Sequence, residues 1–123
     1  MEESKLMEYF LGLLGQIKVF HWATQEYSKH KALDDLHSKM SSLVDKFIEV
    51  FIGRYKKQPL KNFKIEMAAH SDMSKLEKFL EVERENIRKL HTTQFFKTVS
   101  ELQNILDEML LCINQSIYLC NLK

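Results

Sequence analysis

The sequence predicts an all-α fold, with residues 1–123 forming a single domain built as an antiparallel four-helix bundle. Three observations carry this. The chain holds only three glycines and one proline among 123 residues, which leaves few places for turns. Apolar residues recur at spacings of three and four in four separate stretches, the period of a helix with one buried face. Charged residues make up 28% and apolar residues 45%, enough of each to coat and fill such a bundle.

The first helix is expected over Glu3–Tyr27, where Leu6, Phe10, Leu13, Leu14, Ile17, Phe20 and Thr24 mark the buried face. His21 falls on the same stripe and should point inward or into an interface. Gly12 and Gly15 weaken this helix slightly, or allow another backbone to approach it closely. Ser28–Lys31 reads as a turn, and the second helix as Lys31–Tyr55. Gly53 lies near its end, and Pro59 prevents it from continuing far. The connection that follows is longer than the others. Its beginning, Arg54–Lys64, carries five basic residues and no acidic one. That pattern suits a solvated loop at a helix C-terminus, with phosphate binding as the alternative. Ser71 or Asp72 would cap the third helix, running to about His91 with Leu76, Phe79, Leu80, Val82 (less regularly), Ile87 and Leu90 inward. Thr92 or Thr93 would cap the fourth. Its core face is Val99, Leu102, Ile105, Leu106, Met109, Leu110, Ile113, Ile117 and Cys120.

One stretch carries more than a bundle needs. Successive residues of a helix turn by about 100°. With Asp34 as zero, His30 then sits at roughly −40°, Ser38 at +40°, Ser41 at −20°, Asp45 at +20° and Glu49 at +60°. An imidazole and three carboxylates therefore share one narrow stripe, with small serines between them. The apolar flank of Leu33, Leu36, Met40, Leu43, Val44, Phe47 and Phe51 is separate, and it alone would bury the helix. Imidazole with carboxylates suits iron, manganese or zinc. No Glu-x-x-His occurs, so the pattern of an in-chain di-iron bundle is absent. Asp34 and Asp45 are also about 16 Å apart along one helix, too far for one site. Two copies of the helix packed antiparallel about a two-fold near Met40 would bring Asp34 of one to Asp45 of the other, and His30 to Glu49. The pattern asks for a homodimer with two shared sites.

These residues resemble the Dps (DNA protection during starvation) family of ferritin-like mini-ferritins. The signature is a His-Trp pair ending the first helix, a histidine, an aspartate four later, an aspartate eleven after that and a glutamate four further on. Here they are His21-Trp22, His30, Asp34, Asp45 and Glu49. The segment SELQNILDEMLLCI loosely resembles the family's last helix. The resemblance implies a ferritin-like bundle that oxidises Fe²⁺ with peroxide or oxygen at a centre between subunits, a role in oxidative stress. Both histidines would come from one chain, Asp45 and Glu49 from its mate, with Asp34 at the seam. Trp22 would take up oxidising equivalents beside the metal; as a large interface residue it needs no such role. The chain departs from the family in a shorter His21-to-His30 gap and in having no basic N-terminal arm. The stretch from Tyr27 to Tyr55 is also similar to short virus-encoded proteins. The alternative to a ferroxidase is a non-enzymatic helical scaffold or interaction protein that retains the ligand residues.

Other function classes find less support. A net charge of +1 supplies no general attraction to nucleic acid or to an anionic membrane, so direct nucleic-acid binding is not expected. No apolar run approaches the ~18–20 residues that span a bilayer. The acidic, amphipathic start is unlike a signal peptide, which points to the cytoplasm, or the host cytoplasm for a virus-encoded protein. Cys112 and Cys120 form no CxxC motif and read as reduced core residues. His37, at about −60° on the ligand stripe, suits solvent better than metal. Asp107 and Glu108 have no histidine near them in sequence. Phosphate loops, Ser-His-Asp nucleophiles and helix-turn-helix patterns are not evident.

Overall fold

The computed structural model describes residues 3–56, 62–68, 73–93 and 96–122. Four helices account for most of them: α1 (Glu3–Ala23), α2 (Tyr27–Tyr55), α3 (Leu76–Thr92) and α4 (Ser100–Cys120), with a single 3-10 turn at Met73–Lys75 before α3. There is no strand among the described residues. No helix there is long and apolar enough to cross a membrane.

Contacts along the helices set their directions. Phe10 meets Phe47 and His21 meets His30, so α1 and α2 are antiparallel. Lys39 reaches Gln115 and Arg54 reaches Glu101, which makes α2 and α4 antiparallel. Asn121 reaches Glu77 and Arg84 reaches Asn114, giving the same relation between α3 and α4. It follows that α2 and α3 run the same way. A parallel pair cannot be joined by a tight turn, which is why the connection between them is long.

Part of that connection is visible as a strap over α1. Residues 62–68 run beside Gly12, Gly15 and Gln16 in register: a Cβ on Gly12 would lie 3.6 Å from Ile65 Cγ2, and one on Gly15 2.9 Å from Met67 Sδ. The two glycines thus make room for side chains of the strap, Ile65 and Met67, rather than for a second backbone. Gln16 fastens the strap. Its amide Nε2 donates to the Ala68 carbonyl at 3.0 Å, and its Oε1 accepts the Ala68 N–H at 2.9 Å. A single side chain thereby satisfies both backbone groups of one strap residue.

The core follows the expected apolar faces. Phe10, Phe20, Phe47, Phe51 and Phe96 are fully buried, and Phe47 packs edge-on against Phe96 with centroids 5.5 Å apart. Each such ring removes some 150–250 Å² of surface from water, so these five rings dominate the burial. Of the expected α4 face, Leu110 and Ile117 are half-buried and the others fully buried. Cys112 and Cys120 are free thiols, and burial pushes both above the ordinary thiol range. That agrees with reduced cysteines in or beside the core.

Boundaries differ from the sequence reading at three points. The first turn is Thr24–Glu26, not Ser28–Lys31, because Glu26 is extended (φ −103°, ψ 126°) with its N–H on the Thr24 hydroxyl at 3.2 Å. Ser28 and Lys31 lie inside α2. Thr92 and Thr93 do not cap α4. Their hydroxyls instead donate to α3 carbonyls, Thr92 to Lys89 at 3.2 Å and Thr93 to Leu90 at 2.9 Å, so they finish the preceding helix. Val99 stands at the N-cap of α4 and makes no side-chain cap. At the end of α2, Lys56 rather than Gly53 takes the left-handed conformation, with φ 55°. Pro59, Ser71, Asp72 and much of the basic stretch fall outside the described residues.

Candidate metal centre at the α1–α2 turn

The short turn brings the last turn of α1 against the first turn of α2, and with them two histidines. His21 Nδ1 lies 2.9 Å from the His30 carbonyl, and His30 Nδ1 lies 3.1 Å from the His21 carbonyl. A carbonyl oxygen can only accept, so each Nδ1 must carry the proton. In the neutral ring this leaves Nε2 as the lone-pair donor on both histidines. The rings stack, with centroids 3.9 Å apart and planes at 23°. His21 is 7% exposed and His30 faces solvent, so the pair runs from the core edge to the surface.

Asp34, one turn after His30, turns toward the same spot. Its Oδ1 is 4.0 Å from His21 Nε2. Two lone-pair donors at that separation are spaced as two ligands of one first-row ion can be, each about 2.1 Å from it. Lys18, which the sequence reading overlooked, also reaches this carboxylate, its Nζ 3.8 Å from Oδ1. The signal was available: Lys18 precedes His21 by three residues, on a neighbouring part of the same helix face. His37 is half-buried a turn further on. Its pKa is lowered, first by desolvation and then by the Lys18 charge, with Asp34 acting the other way.

The structure thus pairs His21 with His30 and, separately, sets Asp34 4.0 Å from His21 of its own chain. Asp45 and Glu49 stay exposed on the same stripe, three and four turns along α2. Among the described residues of one chain, no three His, Cys, Asp or Glu side chains converge as a metal site. Trp22 follows His21 in sequence but points outward, 70% exposed. It shares a stripe of α1 with Leu11 and Lys18, all within about 40° of one another. Leu11 is 47% exposed. Since Lys18 touches Asp34, this partly apolar stripe adjoins the ligand stripe of α2.

A second histidine pair emerges only in three dimensions. His91 Nε2 lies 3.0 Å from Asp107 Oδ1, although the two are sixteen positions apart and on different helices. Asp107 has no histidine near it in sequence; antiparallel packing of α3 on α4 supplies one.

Comparison with known proteins places the chain as follows. It is similar to an uncharacterised 14.6 kDa protein of the mobD–ri intergenic region of enterobacteria phage T4, with 41% identity over 54 residues. The matched segment covers 41% of this chain and 41% of the phage protein. No solved structure matches significantly. A family model matches residues 21–120, a span that includes all five candidate ligands, and the chain therefore belongs to the family of unknown function DUF5856.

Proposed function

We propose that this protein is a mini-ferritin-like metal protein that takes up Fe²⁺ as substrate and oxidises it with peroxide or oxygen at a centre completed by a second copy of the chain. The observation that carries the reading is the reciprocal pair of Nδ1–H bonds between His21 and His30. Histidines that ligate metals through Nε2 typically give their other N–H to a carbonyl or carboxylate, which holds the ring and its tautomer. Here both rings are held that way, with the Asp34 carboxylate alongside. Two imidazoles and a carboxylate fit a first-row divalent ion, and Mn²⁺ or Zn²⁺ would suit the same donors.

Half a ligand set is what an isologous site offers from one chain. An antiparallel crossing of two α2 helices near Met40 would bring the partner subunit's Asp45 and Glu49 to the histidine end. Met40 is fully buried, so the crossing surface would be formed by Ser38 and Ser41, small enough to let the helices approach. The stripe with Leu11 and Trp22 would supply apolar contact to the same dimer. With peroxide, two Fe²⁺ give one electron each, and the peroxide takes two protons and leaves as two waters. The carboxylates stabilise the higher charge of Fe³⁺. Trp22 follows His21 in sequence but points outward, so it would reach the centre only through the proposed dimer contact. Similarity to a phage protein fits a virus-encoded protein working in host cytoplasm.

One observation favours the rival reading of a helical scaffold without metal. Lys18 puts an ammonium beside Asp34, where a cation would sit. Complementation decides between them. The variants His21→Ala/His30→Ala and Asp45→Ala/Glu49→Ala should each fail to bind Fe²⁺, Co²⁺ or Zn²⁺. Mixed after dissociation, they should regain about half the wild-type binding per heterodimer, since one of two sites then has every ligand. A wild type that neither binds these ions nor gains thermal stability from them, by mass action, would leave the scaffold reading in place.

A further inference from the structure

The strap does more than close the connection between α2 and α3. Between it, α1 and α3 lies a cleft of about 390 Å³, away from the histidines and within the size range of small-molecule sites. Gly12 lines its wall, so no side chain from that position fills the space. The apolar surface comes from Leu13, Ile65 and Phe79, one residue from each of the three walls. Phe79 also brings an aromatic residue to this lining.

The polar groups of the cleft are unbalanced. Glu8, Glu66 and Glu83 supply three carboxylates against the single ammonium of Lys64. Glu83 Oε2 accepts the Tyr9 hydroxyl at 2.7 Å and Asn86 Nδ2 at 3.4 Å. Burial and the neighbouring Glu83 charge push the Tyr9 phenol far up, so Tyr9 remains a neutral donor and holds that carboxylate in place. No ion pair joins Glu8, Glu66 or Glu83 to a basic side chain among the described residues. Carboxylates around an apolar, partly aromatic wall are complementary to a positive charge carried on an apolar body. A bare divalent ion is a poorer match, because no three carboxylates converge on one point.

We propose that this strap-covered cleft binds a small organic ammonium compound, with its charged head among Glu8, Glu66 and Glu83 and its alkyl or aryl body against Leu13, Ile65 and Phe79. Gln16, by fastening Ala68 to α1, holds the strap at the distance that keeps the cleft open.

Titration of the full chain with 2-phenylethylammonium tests this, using calorimetry and backbone amide NMR. The neutral 2-phenylethanol, the anionic 3-phenylpropanoate and Mg²⁺ serve as comparison probes. The ammonium should bind, with the largest shifts at Gly12, Gln16, Ile65 and Phe79, while the comparison probes bind at least about tenfold more weakly. Glu8→Gln/Glu66→Gln should weaken ammonium binding about tenfold, as loss of charge-assisted hydrogen bonds does. Both side chains lie at the cleft surface, so the fold should persist, which an unchanged NMR fingerprint checks. Glu85→Gln, on the solvated face of α3, should leave binding unchanged. Equal binding of the alcohol, undiminished binding by the double variant, stronger binding of Mg²⁺, shifts centred outside the cleft, or no ammonium binding would each overturn the proposal.

Discussion

Lys18 should oppose metal uptake, and replacing it should strengthen binding. Its ammonium lies 3.8 Å from Asp34 Oδ1 and that oxygen lies 4.0 Å from His21 Nε2, so a dication held by the latter two would sit about one ion-pair distance from Nζ. For charges of +1 and +2 about 4 Å apart, the repulsion at the dielectric constant of water is about 2 kcal/mol. The water value is appropriate because the Asp34 side chain is 58% exposed, and salt screening reduces the figure to about 1–2 kcal/mol. Lys18→Met keeps the apolar stem and removes the charge. It should tighten Co²⁺ or Zn²⁺ binding about five- to thirtyfold at low salt, less so at high salt, as read by calorimetry. Stability should change by no more than about 1 kcal/mol, since exposed ion pairs contribute that or less. Unchanged or weaker binding in Lys18→Met would refute the placement of the ion beside Asp34.

Three further outcomes are expected. Gln16→Leu removes both bonds to Ala68, each worth about 0.5–1.5 kcal/mol net, and the freed groups of this exposed residue can turn to water. The loss should be about 1–2 kcal/mol in urea denaturation, with faster exchange of the Ala68 amide; unchanged exchange would mean that the strap is held by Ile65 and Met67 instead. Phe47→Ala should cost about 3–5 kcal/mol, because the ring is fully buried against Phe10 and Phe96, and a loss below about 1.5 kcal/mol would contradict that packing. For His37, whose folded pKa lies below the ordinary 6.5, the unfolded chain takes up the proton first as pH falls. Its contribution to stability is therefore complete above about pH 6.5 and is lost as pH falls toward the folded value. Denaturation midpoints for His37→Asn should show a shallower decline over that window than wild type.

The extent to which the site could be read from the chain differs from residue to residue. The candidate stripe on α2 was legible because His30, Asp34, Asp45 and Glu49 belong to one helix, where sequence spacing alone sets angular position. The inward position of His21 was legible for the same reason, from its register with Leu14 and Ile17. The Nδ1 bonds between the histidines were not. They depend on where α1 stops and α2 starts, and a shift of the turn from Ser28–Lys31 to Thr24–Glu26 decides whether the two backbones can exchange carbonyls. The His91–Asp107 pair is not legible because its contact crosses between helices, whereas Lys18 is marked by its place three residues before His21.

The sequence by itself determined the number of helices, the apolar face of each, the long second connection and the absence of a disulfide between Cys112 and Cys120. All of these follow from local periodicity, scarcity of glycine and proline, and burial. Tertiary structure decided the rest: that the connection runs as a strap over Gly12 and Gly15, that Gln16 fastens it over a cleft, and that Asp34 sides with His21 of its own chain. Spacing along one helix fixes which residues share a face. Which faces meet, and in what register, depends on how side chains interlock between helices and on the few backbone bonds at each turn.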